Sequence, residues 1–199
     1  MSPSEPQLIL ASASPRRREI LATLGIDFEV RPSHADEASL AIEDDLGFVR
    51  EAALLKLRTA LAETEREGAY VLAADTIVCI GGDRLGKPLD DDDALRMLRQ
   101  LAGREHVVRT AIALGRQGHG NLGIRVVETR VRFREASDAE LRRYVASGEP
   151  RDKAGAYGVQ GLASGFVTRL EGSYTNVVGL PAAEVVSLLL EHGVLREWP

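Results

Sequence analysis

The sequence predicts a mixed α/β fold, and three observations lead there. Short apolar runs alternate with helix signals through the first third of the chain, as in strand–helix–strand units. Residues 70–80, Tyr-Val-Leu-Ala-Ala-Asp-Thr-Ile-Val-Cys-Ile, read as a strand covered on both faces. Residues 106–114 and 123–134 flank Gln117-Gly118-His119-Gly120-Asn121 in the pattern of a hairpin, so the sheet cannot be wholly parallel.

The elements follow in order. Leu8-Ile9-Leu10-Ala11 opens a strand over about 8–12, which runs into Ser12-Ala13-Ser14-Pro15-Arg16-Arg17. Ser14 suits an N-cap and Pro15 the first position of a helix over about 15–24, closed by Gly25. Phe28-Glu29-Val30 is a second strand, and the polar stretch 32–44 is a loop. A long helix is expected over about 45–67, with Gly68 just past its end. After the buried strand, Asp90 caps a helix whose first turn, Asp91-Asp92-Asp93, has the sign that the helix dipole favours. Ser137 and Glu140 form a capping box for a helix ending near Gly148. Residues 153–165 are glycine-rich and irregular, and Pro181 opens a last helix that stops before Gly193. No internal repeat interrupts the pattern, and a single domain over 1–199 is expected, with 1–7 as a flexible N-terminus.

Composition narrows the function. The chain is 44% hydrophobic and 28% charged, enough to bury a core. A net charge of −5 argues against a general nucleic-acid binder, whose affinity comes from many Lys and Arg. The single cysteine, Cys79, allows no internal disulfide and fits the cytoplasm. The start, MSPSEPQ, lacks the apolar core of a signal peptide, and no apolar run reaches membrane-spanning length. The four histidines are scattered, without zinc spacing.

Several residues sit where only chemistry explains them easily. Arg16, Arg17 and Arg18 occupy the first turn of a helix, where the dipole is positive and cations are disfavoured unless an anion lies among them. Free amides, two serine hydroxyls and guanidinium groups at a strand end make a phosphate cradle; a solvated basic turn is the bland reading. On the cradle reading, Arg16→Ala or Arg17→Ala should weaken phosphate binding and leave apo stability unchanged. Asp75 is a lone carboxylate in an apolar strand, and burial there requires a partner. It either ties down a neighbouring loop or serves as metal ligand or general base.

Gly81-Gly82-Asp83-Arg84-Leu85-Gly86-Lys87 has P-loop spacing, but Pro88 supplies neither the hydroxyl nor the N–H that a P-loop needs there. A P-loop NTPase is excluded; Lys87 is a phosphate ligand or a solvated cation. Asp36 and Glu37 are loop carboxylates that could hold magnesium if folded next to Asp75. In Asp152-Lys153-Ala154-Gly155-Ala156-Tyr157-Gly158-Val159-Gln160-Gly161, glycines allow close backbone approach and Gln160 can read a base edge. Arg130, Arg132 and Arg134 alternate along one strand face, which reads as solvated.

Together, LASASPRR (10–17), ADE (35–37), AADT (73–76), GKP (86–88), SGEPRDKAGAYGVQG (147–161) and GSYTNVVGLP (172–181) resemble the Maf family of nucleoside triphosphate pyrophosphatases. The resemblance runs from Leu8 to about Leu190. It implies an elongated mixed central sheet with helices on both sides and two lobes around a deep groove, as in the inosine triphosphate pyrophosphatases. It also implies hydrolysis of a nucleoside triphosphate to the monophosphate and pyrophosphate with Mg2+ or Mn2+.

Residue by residue, Asp75 matches the general base and, with Glu37, the metal ligands. Ser12, Arg16 and Arg17 match phosphate-binding positions, and Lys56 and Lys87 other polar groove positions. Arg17, Thr76 and Gln160 match positions linked to substrate choice. Gln160 resembles the dTTP/UTP branch, where the branch similar to 7-methyl-GTP pyrophosphatases typically carries Glu. Other readings are that second branch and a nucleotide-binding regulator of cell division. The partner implied is a small nucleotide, with no stable nucleic-acid partner and no membrane; a homodimer is compatible with it.

Overall fold

The computed structural model describes residues 7–36 and 40–199. Seven strands form one sheet in the order β2-β1-β3-β5-β6-β7, with β4 paired to β3. They are β1 (Leu8–Leu10), β2 (Phe28–Val30), β3 (Tyr70–Ile80), β4 (Asp83–Leu85), β5 (Glu105–Arg116), β6 (Gly120–Phe133) and β7 (Val167–Glu171). The helices are α1 (Pro15–Thr23), α2 (Asp45–Ala62), α3 (Asp91–Leu101), α4 (Asp138–Ala146), α5 (Tyr174–Val178) and α6 (Ala182–Glu191). β1 is parallel to both β2 and β3, whereas β3–β4 and β6–β7 are antiparallel, so the sheet is mixed as its sequence predicts. Of the expected flexible stretch 1–7, residues 1–6 lie outside the described residues, and the Gln7 carbonyl accepts from Tyr70 N at 2.8 Å.

Two compact units share the chain. The first comprises the residues up to Asp75, Thr110–Val126 and Gly179–Pro199; the second comprises Thr76–Arg109 and Val127–Val178. Each has its own core. In the first, Leu8, Leu10 and Leu72 pack with Leu21 of α1 and with Val185 and Leu188 of α6. In the second, Leu95 and Leu98 of α3 pack with Phe133, Leu141, Tyr144 and Phe166.

Local chemistry explains the boundaries. The Ser14, Asp90 and Ser137 caps form as expected, the last with its reciprocal Glu140 bond. Helix α2 ends five residues earlier than the sequence predicts, at Ala62 rather than 67, because the Thr64 hydroxyl donates to the Ala60 carbonyl at 2.6 Å and closes the last turn. The β5–β6 turn is tighter than expected, only Gln117 to His119. Gly81 and Gly82 (φ 60° and 90°) form a two-residue hairpin turn between Ile80 and Asp83, which places the P-loop look-alike in a β-hairpin. The Arg130, Arg132 and Arg134 face is exposed, as expected. Strand β7 and the five-residue α5 have no sequence signal, being short and, in β7, half charged or polar.

His106 is 1% exposed inside the second core, edge-on to Phe133 and Tyr157, with its Nε2 2.9 Å from the Tyr157 hydroxyl. Burial disfavours its charged form and lowers its pKa from 6.5 to about 4. Its contribution is therefore complete above about pH 6.5 and is lost as the pH falls towards about 4, an effect of about 3 kcal/mol. Urea unfolding at pH 7.5 and pH 4.5 should show this loss in the wild type and a much smaller one in His106→Gln. Equal losses in both proteins would assign the acid sensitivity elsewhere.

Candidate active site

The first unit holds five of the expected residues, Ser12, Arg16, Arg17, Lys56 and Asp75. The end of β1 leads into α1 through Ser12, Ala13 and Ser14. The Ser14 hydroxyl accepts from Arg17 N at 3.5 Å, and the Ser12 hydroxyl accepts from Ser14 N at 3.2 Å, so the two serines shape the turn. Arg17 then folds back over it. Its Nη1 donates to Ser12 Oγ at 3.1 Å and to the Ala74 carbonyl at 2.8 Å, while Nε donates to the Gly179 carbonyl at 2.8 Å. One guanidinium thus ties β1, β3 and the segment before α6 into a single node. Arg16 lies half-buried on the same turn.

Asp75 follows Ala74 on β3 and is 6% exposed. Its Oδ1 accepts from Lys56 Nζ, on α2, at 2.7 Å, with side-chain exposures of 8% and 16% for the pair. This pairing meets the requirement that a buried carboxylate have a partner. The loop-tying reading of Asp75 is not what the structure places there: its partner is a helix lysine.

The second unit holds the rest. Thr76 is half-buried, and Lys87 and Gln160 are exposed. The Gly86 carbonyl, beside Lys87, accepts from Gly155 N at 3.0 Å, which joins the GKP and DKAGAYGVQG segments. Gln160 lies within a turn in which Gly161 N donates to the Gly158 carbonyl at 3.1 Å. Tyr157 of the same stretch is not a surface group at all but part of the aromatic core. Glu37 lies outside the described residues.

A family model for Maf-like proteins matches residues 7–192. The chain belongs to the Maf-like family. A dTTP/UTP pyrophosphatase of Hahella chejuensis is 48% identical over 196 residues, covering 97% of this chain and 96% of that protein. A dTTP/UTP pyrophosphatase of Anaeromyxobacter dehalogenans strain 2CP-1 is also 48% identical, with 97% of each chain covered. One from Desulfotalea psychrophila is 46% identical, covering 94% of this chain and 95% of its own.

This Maf-like chain has, among the described residues, no group of three or more His, Cys, Asp and Glu placed to hold a metal ion. Magnesium needs less, because one or two carboxylates suffice when phosphate oxygens and water complete its shell. Asp75 fits that donor set as a buried carboxylate, its Oδ1 bonded to Lys56. Among the described residues, no helix is long and apolar enough to cross a membrane.

Sequence reasoning did not reach Gly179 or Asn176 of the Maf-like motif GSYTNVVGLP. A backbone carbonyl, such as that of Gly179, leaves no trace in side-chain chemistry. Asn176 is fully buried, its Nδ2 donating to the Val108 carbonyl at 3.1 Å and to Thr129 Oγ1 at 2.9 Å. A polar residue beside two valines was the only available sign of that role.

Proposed function

We propose that this chain hydrolyses dTTP and UTP, with related modified pyrimidine nucleotides, to the monophosphate and pyrophosphate. The buried Asp75–Lys56 pair next to the Ser12–Arg17 node carries the reading, in a chain 48% identical to proteins named for that activity. Cleavage between the α- and β-phosphorus needs positive charge on the leaving pyrophosphate. Arg16 and Lys87 supply it, and the Ser12 hydroxyl, held in place by Arg17, binds a phosphate oxygen. Asp75 takes the proton of the attacking water as general base. Lys56 fixes the carboxylate through Oδ1. Asp75 and Glu37 would hold Mg2+ or Mn2+, which when bound offsets phosphate charge and lowers the pKa of water.

Base choice falls to Gln160, with Thr76 and Arg17 supporting it. A neutral amide offers a donor to a pyrimidine carbonyl and an acceptor to N3–H, whereas a carboxylate can only accept. Gln160→Glu should therefore depress kcat/KM for dTTP by about 1–3 kcal/mol of transition-state binding. An unchanged value would move base recognition to other groups. The catalytic unit is one domain over the whole chain, and the sole Cys79 supports residence in the cytoplasm. Phosphorus NMR of a dTTP digest tests the bond assignment: equal dTMP and pyrophosphate are expected, and dTDP with orthophosphate would refute it.

A further inference from the structure

We infer that Glu149 is a positioning residue for base selection, holding the turn that presents Gln160. The inference rests on the proposed role of Gln160 and deepens it. Glu149 opens a single 3-10 turn, Glu149–Asp152, after the left-handed Gly148 (φ 76°). Its side chain is half-buried and bonded to backbone rather than left in solvent. Oε2 accepts from Leu162 N at 2.8 Å, and Oε1 accepts from Ala163 N at 3.4 Å and from the Tyr144 hydroxyl at 3.0 Å. Tyr144 is buried. Burial, followed by the adjacent Glu149 charge, raises the Tyr144 pKa, so this hydroxyl stays a donor throughout the working range.

The carboxylate therefore grips the turn just beyond Gln160: Leu162 and Ala163 are held directly, and Tyr144 fixes the carboxylate that holds them. The fit is tight: a Cβ at Gly161 would stand 2.4 Å from Glu149 Oε2, so a side chain there would displace the carboxylate. Lys153 completes the frame, donating from Nζ to the Glu149 carbonyl at 2.6 Å. Gln160 itself has no such anchoring role, being exposed at the crest of the turn. Displacing a recognition group by about 1 Å commonly costs orders of magnitude in rate. Glu149 acts on the substrate only through Gln160, and its loss should blur discrimination more than it slows turnover.

The test uses Glu149→Gln, which keeps shape but turns an amide donor towards backbone N–H, and Tyr144→Phe, which removes the hydroxyl that donates to Glu149 Oε1. Specificity constants for dTTP and GTP are measured beside amide hydrogen exchange. In both variants the dTTP-to-GTP ratio should fall about tenfold or more. Leu162 and Ala163 amides should exchange faster in Glu149→Gln, while the β5 and β6 amides keep their protection. Faster exchange with an unchanged ratio overturns the positioning role, and unchanged exchange overturns the clamp itself. If the wild type shows no preference for dTTP, the proposed function has failed in a way visible before any variant, and exchange still decides the clamp. Should Glu149→Gln not fold, Tyr144→Phe carries both readouts.

Discussion

Asp75→Asn is expected to lower dTTP hydrolysis by about a hundredfold or more, the usual loss when an acid–base group is removed. It should also cost stability, which the sequence alone does not suggest. The change leaves the Lys56 ammonium, only 16% exposed, facing a neutral amide. Breaking a buried pair from one side commonly costs about 3–5 kcal/mol, and the residual exposure of Lys56 reduces this to about 2 kcal/mol. Pairing the change with Lys56→Met should restore melting behaviour without restoring hydrolysis. Kinetics and thermal melts of the single and double variants check both halves. Near-normal turnover in Asp75→Asn would mean that another residue activates water.

Arg17→Ala should destabilise the nucleotide-free protein by about 2–4 kcal/mol. The sequence argument expects no such loss, because it treats the arginine as a cation waiting for an anion at a helix N-terminus. The structure supplies other partners: the Gly179 and Ala74 carbonyls, both at 2.8 Å, and Ser12. Removing the guanidinium takes a donor from two carbonyls and from the Ser12 hydroxyl, which keeps its bond from Ser14 N. Arg17→Lys should recover little, since one ammonium cannot reproduce the fork. A melting temperature unchanged in Arg17→Ala would show that the node adds nothing to the fold.

The elements legible in the sequence were those with strong local rules: capped helices, the long apolar strand around Asp75 and the mixed sheet. The ones that escaped were set by tertiary context. Strand β7 exists because β6 offers it an edge, not because Val-Thr-Arg-Leu-Glu favours a strand. Of the site, residue types out of place were readable: a carboxylate in an apolar strand and arginines at a helix start. Their partners were not. That Lys56, nineteen positions before Asp75, bonds it depends on how α2 packs, and Glu149 gave no sign that its carboxylate reaches Leu162.

The central claim is tested most directly by specificity constants for a panel of triphosphates with magnesium, read as released pyrophosphate. The panel comprises dTTP, UTP, 5-substituted UTP, ATP, GTP and 7-methyl-GTP. The account predicts that dTTP and UTP lead, with the 5-substituted uridine nucleotides close behind and the purines well below. Preference for 7-methyl-GTP would contradict the assignment of Gln160 to pyrimidine recognition, and no pyrophosphate from any member would contradict the enzyme itself.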